Sequence, residues 1–292
     1  MRNKNPVFAQ LDKQSSGESG FAYAEGLNAY QQAGQQPTAT APQPYPTIPT
    51  TQTGTPTGSV LEPVTDRMSL DDVLVRTGIS LAVLIPFAYL GWVLTPSMPF
   101  LVMTMAIVGM VLGFVNIFKK QVSPALVLMY AAAQGLFLGG ISWMYQNWAE
   151  ANGYQGNLVS QAVIGTLVAF LVMLALYKSR LVKVNGRFAK MMMVAMVSYL
   201  VIAMASFVAA LFGMNGGWGF YGAGPLGVAL CLLGVGLAAF SLLIDFESIS
   251  QGIRMGLPAR ESWRMAFGLL VTLIWLYLEI LRLLAILASN RD

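Results

Sequence analysis

Long apolar stretches alternate with short polar segments from about residue 70 onward. The seven apolar runs lie at roughly 74–94, 99–118, 124–145, 158–177, 190–213, 224–246 and 263–288. Each run is long enough, as a helix rising 1.5 Å per residue, to cross a hydrocarbon layer of about 30 Å. Because an open strand would leave its backbone groups unpaired in lipid, the pattern predicts an all-α, polytopic membrane protein.

The loops between these runs differ in positive charge. The loops after the first, third and fifth runs contain no Lys or Arg. The basic residues of the second, fourth and sixth loops are Lys119, Lys120, Lys178, Arg180, Lys183, Arg187, Lys190, Arg254, Arg260 and Arg264. Because basic loops favour the cytoplasmic side, the alternation predicts a cytoplasmic N-terminus and an outside C-terminus.

The first part of the chain has a different composition from the rest. The stretch from Gln31 to Gly58 is rich in Gln, Thr, Pro and Gly and carries no charge. Such a segment cannot bury enough apolar surface to fold, so residues 1–66 are predicted to be a disordered cytoplasmic tail. The transmembrane domain is predicted to cover 67–292. No signal peptide is expected near Met1. The tail could bind a membrane-protein partner, although a solvated arm is the simpler expectation.

Composition excludes several functions. Hydrophobic residues make up 56% of the chain and charged residues 10%, against about a quarter charged in soluble domains. The net charge of +4 follows from the basic loops, so no nucleic-acid partner is expected. The chain has no His and one Cys, Cys231, which excludes Ser–His or Cys–His catalysis and a zinc site built on these residues. We expect Cys231 to be a small buried residue, and we expect no catalytic residues, no resident metal and no cofactor.

Four ionisable residues lie in or near the last two runs. Asp245 and Glu247 stand at the end of the sixth run, and Glu279 and Arg282 stand inside the seventh. An ionisable group at membrane depth is costly, so each requires a partner or a function. In one interpretation Glu279 pairs with Arg282, three residues further on. In the other, Asp245 approaches Glu279 and the two carboxyl groups share a proton, which would form a pH-sensitive latch.

Two segments in these runs carry a family resemblance. Residues 242–251 read LLIDFESISQ and residues 275–284 read WLYLEILRLL, with a weaker motif, QGLFLG, at 134–139. With these motifs the chain resembles the transmembrane Bax inhibitor motif family, in its bacterial YccA-like branch. The resemblance covers about 70–288 and leaves out the N-terminal tail.

The resemblance implies a fold and a function. It implies six helices around a central seventh, in a bacterial plasma membrane. It also implies a pH-sensing pair of acids on the last two helices that gates a calcium leak through the bilayer. Transferred to this chain, the pair is Asp245 and Glu279, with Arg282, Glu247 and Gln134 as supporting residues.

The chain differs from the family pattern near this pair. Glu279 stands where the family has Asp, and the interval between the two acids is longer than usual. Arg282 places a fixed cation one turn from Glu279, and Gln134 stands where a carboxylate is often found. Carboxylate oxygens suit calcium, but two or three acids form only a weak site.

Three functions remain open. The first is a pH-gated leak channel for calcium or other cations. The second is a regulatory or scaffold protein in membrane protein quality control, which acts through its tail and transports nothing. The third is an intramembrane aspartyl protease, which the sequence disfavours because it lacks a Gly-x-Gly-Asp element and has Glu279 as one of the two acids.

Overall fold

The computed structural model describes residues 67–182, 184–214, 219–222 and 224–289. The predicted tail lies outside these residues. The described part contains seven helices that are long and apolar enough to cross a membrane. They are α1 (Leu70–Leu94), α2 (Phe100–Phe118), α3 (Pro124–Ala151), α4 (Leu158–Lys178), α5 (Gly186–Leu211), α6 (Pro225–Arg254) and α7 (Ser262–Ser289). The prediction of an all-α, seven-span membrane protein is therefore confirmed.

Local sequence signals explain where several helices begin. Ser69 and Asp72 form a capping box at α1: the Ser69 hydroxyl accepts from the Asp72 backbone N–H at 3.1 Å, and Asp72 Oδ2 accepts from the Ser69 N–H at 3.0 Å. Asn157 and Asn185 cap α4 and α5 with their side-chain oxygens. These caps satisfy N–H groups that the first helical turn leaves unpaired.

The sixth helix is longer than the sequence predicts. The apolar run ends near residue 246, whereas α6 continues to Arg254. The additional turns are held by polar side chains, because Glu247 Oε1 accepts from Gln251 at 3.0 Å and from Arg254 at 2.7 Å. Asp245 and Glu247 therefore lie within a continuous helix rather than at its end.

The seventh helix contacts most of the bundle. It packs against α1, α3, α4 and α6, and Tyr199 of α5 reaches it by a side-chain hydrogen bond. In the most apolar 18-residue segment of each helix, half of the segment is buried inside the bundle for α3, α6 and α7. The buried share is 11% for α5 and 17% for α2 and α4. Three helices thus form much of the packed interior. The arrangement of six helices around a central seventh stays a prediction.

The turn between α6 and α7 is attached to the start of α1. The Met68 N–H donates to Leu257 O at 2.7 Å, the Arg76 guanidinium donates to Ala259 O, and Arg76 also lies over the Trp263 ring. At the same end, Arg264 of α7 donates to Lys120 O at 2.7 Å, in the loop between α2 and α3. These contacts hold the α6–α7 turn, and with it the relative register of the two helices that carry the acidic residues.

Candidate functional site

One face of α7 carries a row of polar and aromatic residues. Gly268, Thr272, Trp275, Glu279 and Arg282 follow at intervals of three or four residues. In an α-helix this spacing places side chains on one face, one above the other. The row extends along most of a helix that is otherwise apolar, so we take it as the candidate functional site.

Glu279 lies towards one end of this face, and within the described residues one of its two buried carboxylate oxygens accepts hydrogen bonds and the other accepts none. The residue is buried, and Oε1 accepts hydrogen bonds from the Tyr199 hydroxyl at 2.7 Å and from Trp275 Nε1 at 3.1 Å. The other oxygen, Oε2, lies 3.8 Å from Arg282 Nη1. The first interpretation, a Glu279–Arg282 ion pair on one helix, thus has a matching geometry.

Arg282 is held between aromatic side chains. Its guanidinium carbon lies 4.4 Å from the centroid of the Tyr221 ring, in the short 3₁₀ turn of Gly219–Tyr221, and Nε donates to the Tyr145 hydroxyl at 3.3 Å. A cation over a ring face is attracted by the ring quadrupole. Arg282 is more open than Glu279, since 28% of its side chain is exposed against 6% for the glutamate side chain.

A glycine of α6 makes room for this cluster. A Cβ atom built on Gly234 would lie 2.5 Å from the Tyr199 hydroxyl and 2.6 Å from Glu279 Oε2. Both distances are shorter than a van der Waals contact, so no side chain fits at this position without a shift of the cluster. Gly234 therefore lets the α6 backbone lie directly against the Glu279 carboxylate.

Asp245 lies further along the same face, against the other half of α7. Its Oδ1 points towards Gly268, whose built Cβ would be 3.8 Å away, and the Thr272 side chain lies beside it. The Thr272 hydroxyl donates to Gly268 O at 3.2 Å. Within the described part of the chain, the buried oxygen Oδ2 of Asp245 has no hydrogen-bond partner.

The structure does not bring Asp245 and Glu279 together. Glu279 lies opposite Gly234, whereas Asp245 lies opposite Gly268. At 1.5 Å per residue, Gly234 and Asp245 are roughly 16 Å apart along α6, and Gly268 and Glu279 are separated similarly along α7. Trp275 lies between the two levels and packs on Tyr199 with a ring-centroid distance of 5.9 Å. The sensing role of each acid stays a prediction, and a shared proton would require a different arrangement of α6 and α7.

The remaining predicted residues lie elsewhere. Glu247 faces α4 and accepts from the Tyr177 hydroxyl at 2.9 Å, in addition to its bonds with Gln251 and Arg254. Gln134 faces α2, where a Cβ built on Gly109 would lie 2.5 Å from Gln134 Nε2. Among the described contacts, neither side chain touches Asp245 or Glu279. The supporting roles of Glu247 and Gln134 stay predictions.

A cavity of about 850 Å³ lies beside the Glu279 cluster. Trp275, Glu279 and Arg282 form its floor, and Ile141 and Tyr145 of α3 form part of one wall. The opposite wall is α5, which contributes the mostly apolar side chains Met196, Val197, Tyr199, Leu200, Ala203, Ser206, Phe207 and Ala210. The volume is within the range of about 300–1,000 Å³ that is typical of small-molecule sites.

Several residues of this site were not predicted to be functional. Tyr199, Trp275, Tyr145 and Tyr221 surround the charged pair, and Gly234 makes room for it. The contacts of Tyr199, Tyr145 and Tyr221 join residues far apart in sequence, so no local spacing marked them. Trp275 is four residues from Glu279 and begins the second family motif, so its spacing was visible in the sequence. For Gly234 a signal exists in the sixth apolar run, where Gly234, Gly236, Ala238 and Ala239 favour close helix packing.

The arrangement limits the chemistry of the site. In the described residues, no cluster of three or more His, Cys, Asp or Glu side chains is positioned to hold a metal ion. Cys231 is unpaired and fully buried, which confirms its predicted place in the interior. The described side chains thus provide separate carboxyl groups, a guanidinium and aromatic donors along one membrane helix.

The fold and site define a polytopic α-helical membrane protein with ionisable groups buried on its last two spans. A family model described as Bax inhibitor 1 like matches residues 5–289. The chain therefore belongs to the Bax inhibitor 1 like family, as its motifs indicated. The match also includes most of the N-terminal tail, so the expected limit of the resemblance near residue 70 was wrong. A search among curated proteins found no match.

Proposed function

We propose that the protein is a pH-sensitive cation leak channel, with calcium as a transported ion and the bacterial plasma membrane as its location. In this proposal the N-terminus is cytoplasmic, the C-terminus is outside, and the protein has no catalytic activity and no resident cofactor. The observation that carries the proposal is the polar face of α7. Ionisable groups at membrane depth are costly and characteristically mark ion or substrate pathways.

The two carboxyl groups would be successive cation-binding sites on a path across the membrane along the polar face of α7. Asp245 of α6 and Glu279 of α7 lie at different levels of the α6–α7 interface, and oxygen ligands suit calcium and similar hard cations. Conduction requires binding that is weak enough for release, and separated single carboxylates meet this requirement better than a closed cage. The Trp275 ring, between the two levels, would be the barrier that must move when the route opens.

Calcium flux into dye-loaded proteoliposomes, measured from about pH 5 to pH 8, tests the proposal. We expect a flux in the wild type that changes with pH. We expect the pH response to be lost in Glu279→Gln and in Asp245→Asn, because neither variant can change its charge at that position. Glu150→Gln, at the exposed end of α3, is the matched control and should retain the response.

The outcome separates two conclusions. A folded wild-type protein that gives no flux across this range would refute the channel. A flux that keeps its pH response in both variants would retain a channel but remove Asp245 and Glu279 as its sensors. Size-exclusion profiles of each variant in detergent establish that a loss of response is not a loss of folding.

The alternative is a regulatory membrane protein that transports nothing. The partners of Glu279 favour it, since Tyr199, Trp275 and Arg282 account for this buried acid as part of a stable ion-pair network. The proposed effector would then be the tail. Deletion of residues 1–66 should abolish the cellular phenotype if this alternative holds, and full activity without the tail would contradict it.

A further inference from the structure

The cavity beside Glu279 opens sideways from the bundle. Val197, Leu200 and Phe207 line it from α5, and these side chains are 55%, 60% and 51% exposed on the bundle surface. Because α5 is a membrane-spanning helix, its exposed apolar side chains face lipid. The space between α3 and α5 is therefore accessible to a molecule that is dissolved in the membrane.

Among the described residues, the Arg282 guanidinium on the floor of the cavity has more N–H donors than hydrogen-bond partners. The Arg282 side chain is 28% exposed, whereas Glu279 is 6% exposed and already accepts two hydrogen bonds on Oε1. A guanidinium has five N–H donors. Its contact with Glu279 is long, at 3.8 Å, and its bond to the Tyr145 hydroxyl is 3.3 Å. The group that a ligand would meet is thus mainly the guanidinium.

The depth of Arg282 along α7 determines which kind of anionic ligand can reach it. Arg282 lies roughly 10 Å, at 1.5 Å per residue, below the end of α7 at Ser289. A guanidinium in a cavity open to lipid is costly unless an anion or water satisfies it. A phospholipid head group would have to leave the interface to reach this depth. A carboxylate is smaller, and its two oxygens match the guanidinium fork.

We propose that this cavity binds a long-chain carboxylate of the fatty-acid class. The carboxylate would pair with Arg282, and the chain would lie along the apolar wall of α5. The proposal goes beyond cation conduction and does not depend on it, because its first readout is binding.

Binding is measured in nanodiscs with a fatty acid that is brominated on its chain. Bromine quenches nearby indoles, and Trp275 is in the cavity floor. The chain has six Trp residues, so the difference in quenching between the wild type and Trp275→Phe isolates this indole. We expect saturable quenching of Trp275 by the fatty acid, and weaker quenching by the matched brominated alcohol, which has no charge.

Three variants separate the roles of charge and shape. The double variant Glu279→Gln with Arg282→Gln removes both charges and should weaken binding about tenfold or more. The single variant Glu279→Gln keeps the guanidinium and should bind at least as well as wild type. Ala203→Leu, which reduces the space at the α5 wall, should weaken binding while both charges remain.

Three results would overturn the proposal. They are equal quenching by the acid and the alcohol, no saturable quenching of Trp275, and stronger quenching by a brominated anionic phospholipid than by the fatty acid. If the double variant does not fold, the comparison of headgroups on the wild type and the Ala203→Leu variant still decides the question. Arg254→Gln, a surface change at the far end of α6, is the control and should bind normally.

Discussion

The two buried acids on the α6–α7 interface differ in their partners. Glu279 accepts two hydrogen bonds and lies within 3.8 Å of Arg282. Asp245 lies beside Thr272 and Gly268. Among the described residues each acid has one buried oxygen that accepts no hydrogen bond, but a basic side chain lies within ion-pair distance of Glu279 and not of Asp245. Buried carboxylates are costly unless paired, so the same chemical group should stabilise the fold at one position and weaken it at the other.

The largest expected effect on stability comes from removing Arg282, the cation that pairs with Glu279. Arg282→Leu leaves Glu279 without its ion-pair partner in the interior and should lower the free energy of unfolding by about 3–5 kcal/mol. Denaturant unfolding in detergent measures this loss. Arg282→Lys retains the charge and should lose clearly less. Equal losses for Leu and Lys would mean that the packing of the guanidinium on Tyr221, and not its charge, is what the fold requires.

A smaller effect on stability is expected from adding a single methyl group at Gly234, beside Glu279. Gly234→Ala would put a Cβ 2.6 Å from Glu279 Oε2, so the cluster must shift, at a cost of about 1–3 kcal/mol. Gly236→Ala is the matched control in the same helix, because nothing lies within 4 Å of its built Cβ. This control should be neutral or stabilising by about 0.5–1 kcal/mol. Thermal unfolding of both variants tests the contrast, and similar melting temperatures would contradict it.

Loss of one hydrogen bond to Glu279 should be milder still. Tyr199→Phe removes the 2.7 Å bond to Oε1 but leaves the Trp275 bond and the Arg282 contact. We expect a loss of about 1–2 kcal/mol, because hydrogen bonds to charged groups are stronger than neutral ones. Tyr89→Phe, on the exposed surface of α1, is the control and should change stability little. If Tyr199→Phe also leaves stability unchanged, the Glu279 site is less tightly coupled than its geometry indicates.

The smallest effect, and one of opposite sign, is expected at Asp245. Asp245→Asn removes a carboxyl group whose Oδ2 is unsatisfied, so stability should stay the same or rise by up to about 1 kcal/mol. The comparison is with Glu279→Gln, which breaks an ion pair and should be destabilising. Chemical denaturation of both variants under the same conditions measures this difference in stability. A marked loss of stability in Asp245→Asn would show that this acid has an important partner in the membrane-embedded protein.

The contrast between the two acids could not be seen in the sequence. The charges of Asp245, Glu279 and Arg282 were visible against an apolar background, and their cost in lipid marked them as candidates. Their partners were not visible, because Tyr199 and Tyr145 lie on other helices far away in the chain. The end of the sixth apolar run also does not mark the end of α6, since hydropathy falls at Glu247 while side-chain pairing continues the helix to Arg254.

By itself the sequence determined the seven spans, the all-α class and the family motifs. These follow from local quantities: the length of each apolar run, the helix caps and the order of residues in two short segments. Only the tertiary structure decided which residues surround each acid, because that depends on helix register and on which face each helix turns inward. Asp245 of α6 and Glu279 of α7 therefore lie in one helix interface but at separate levels, each with its own environment.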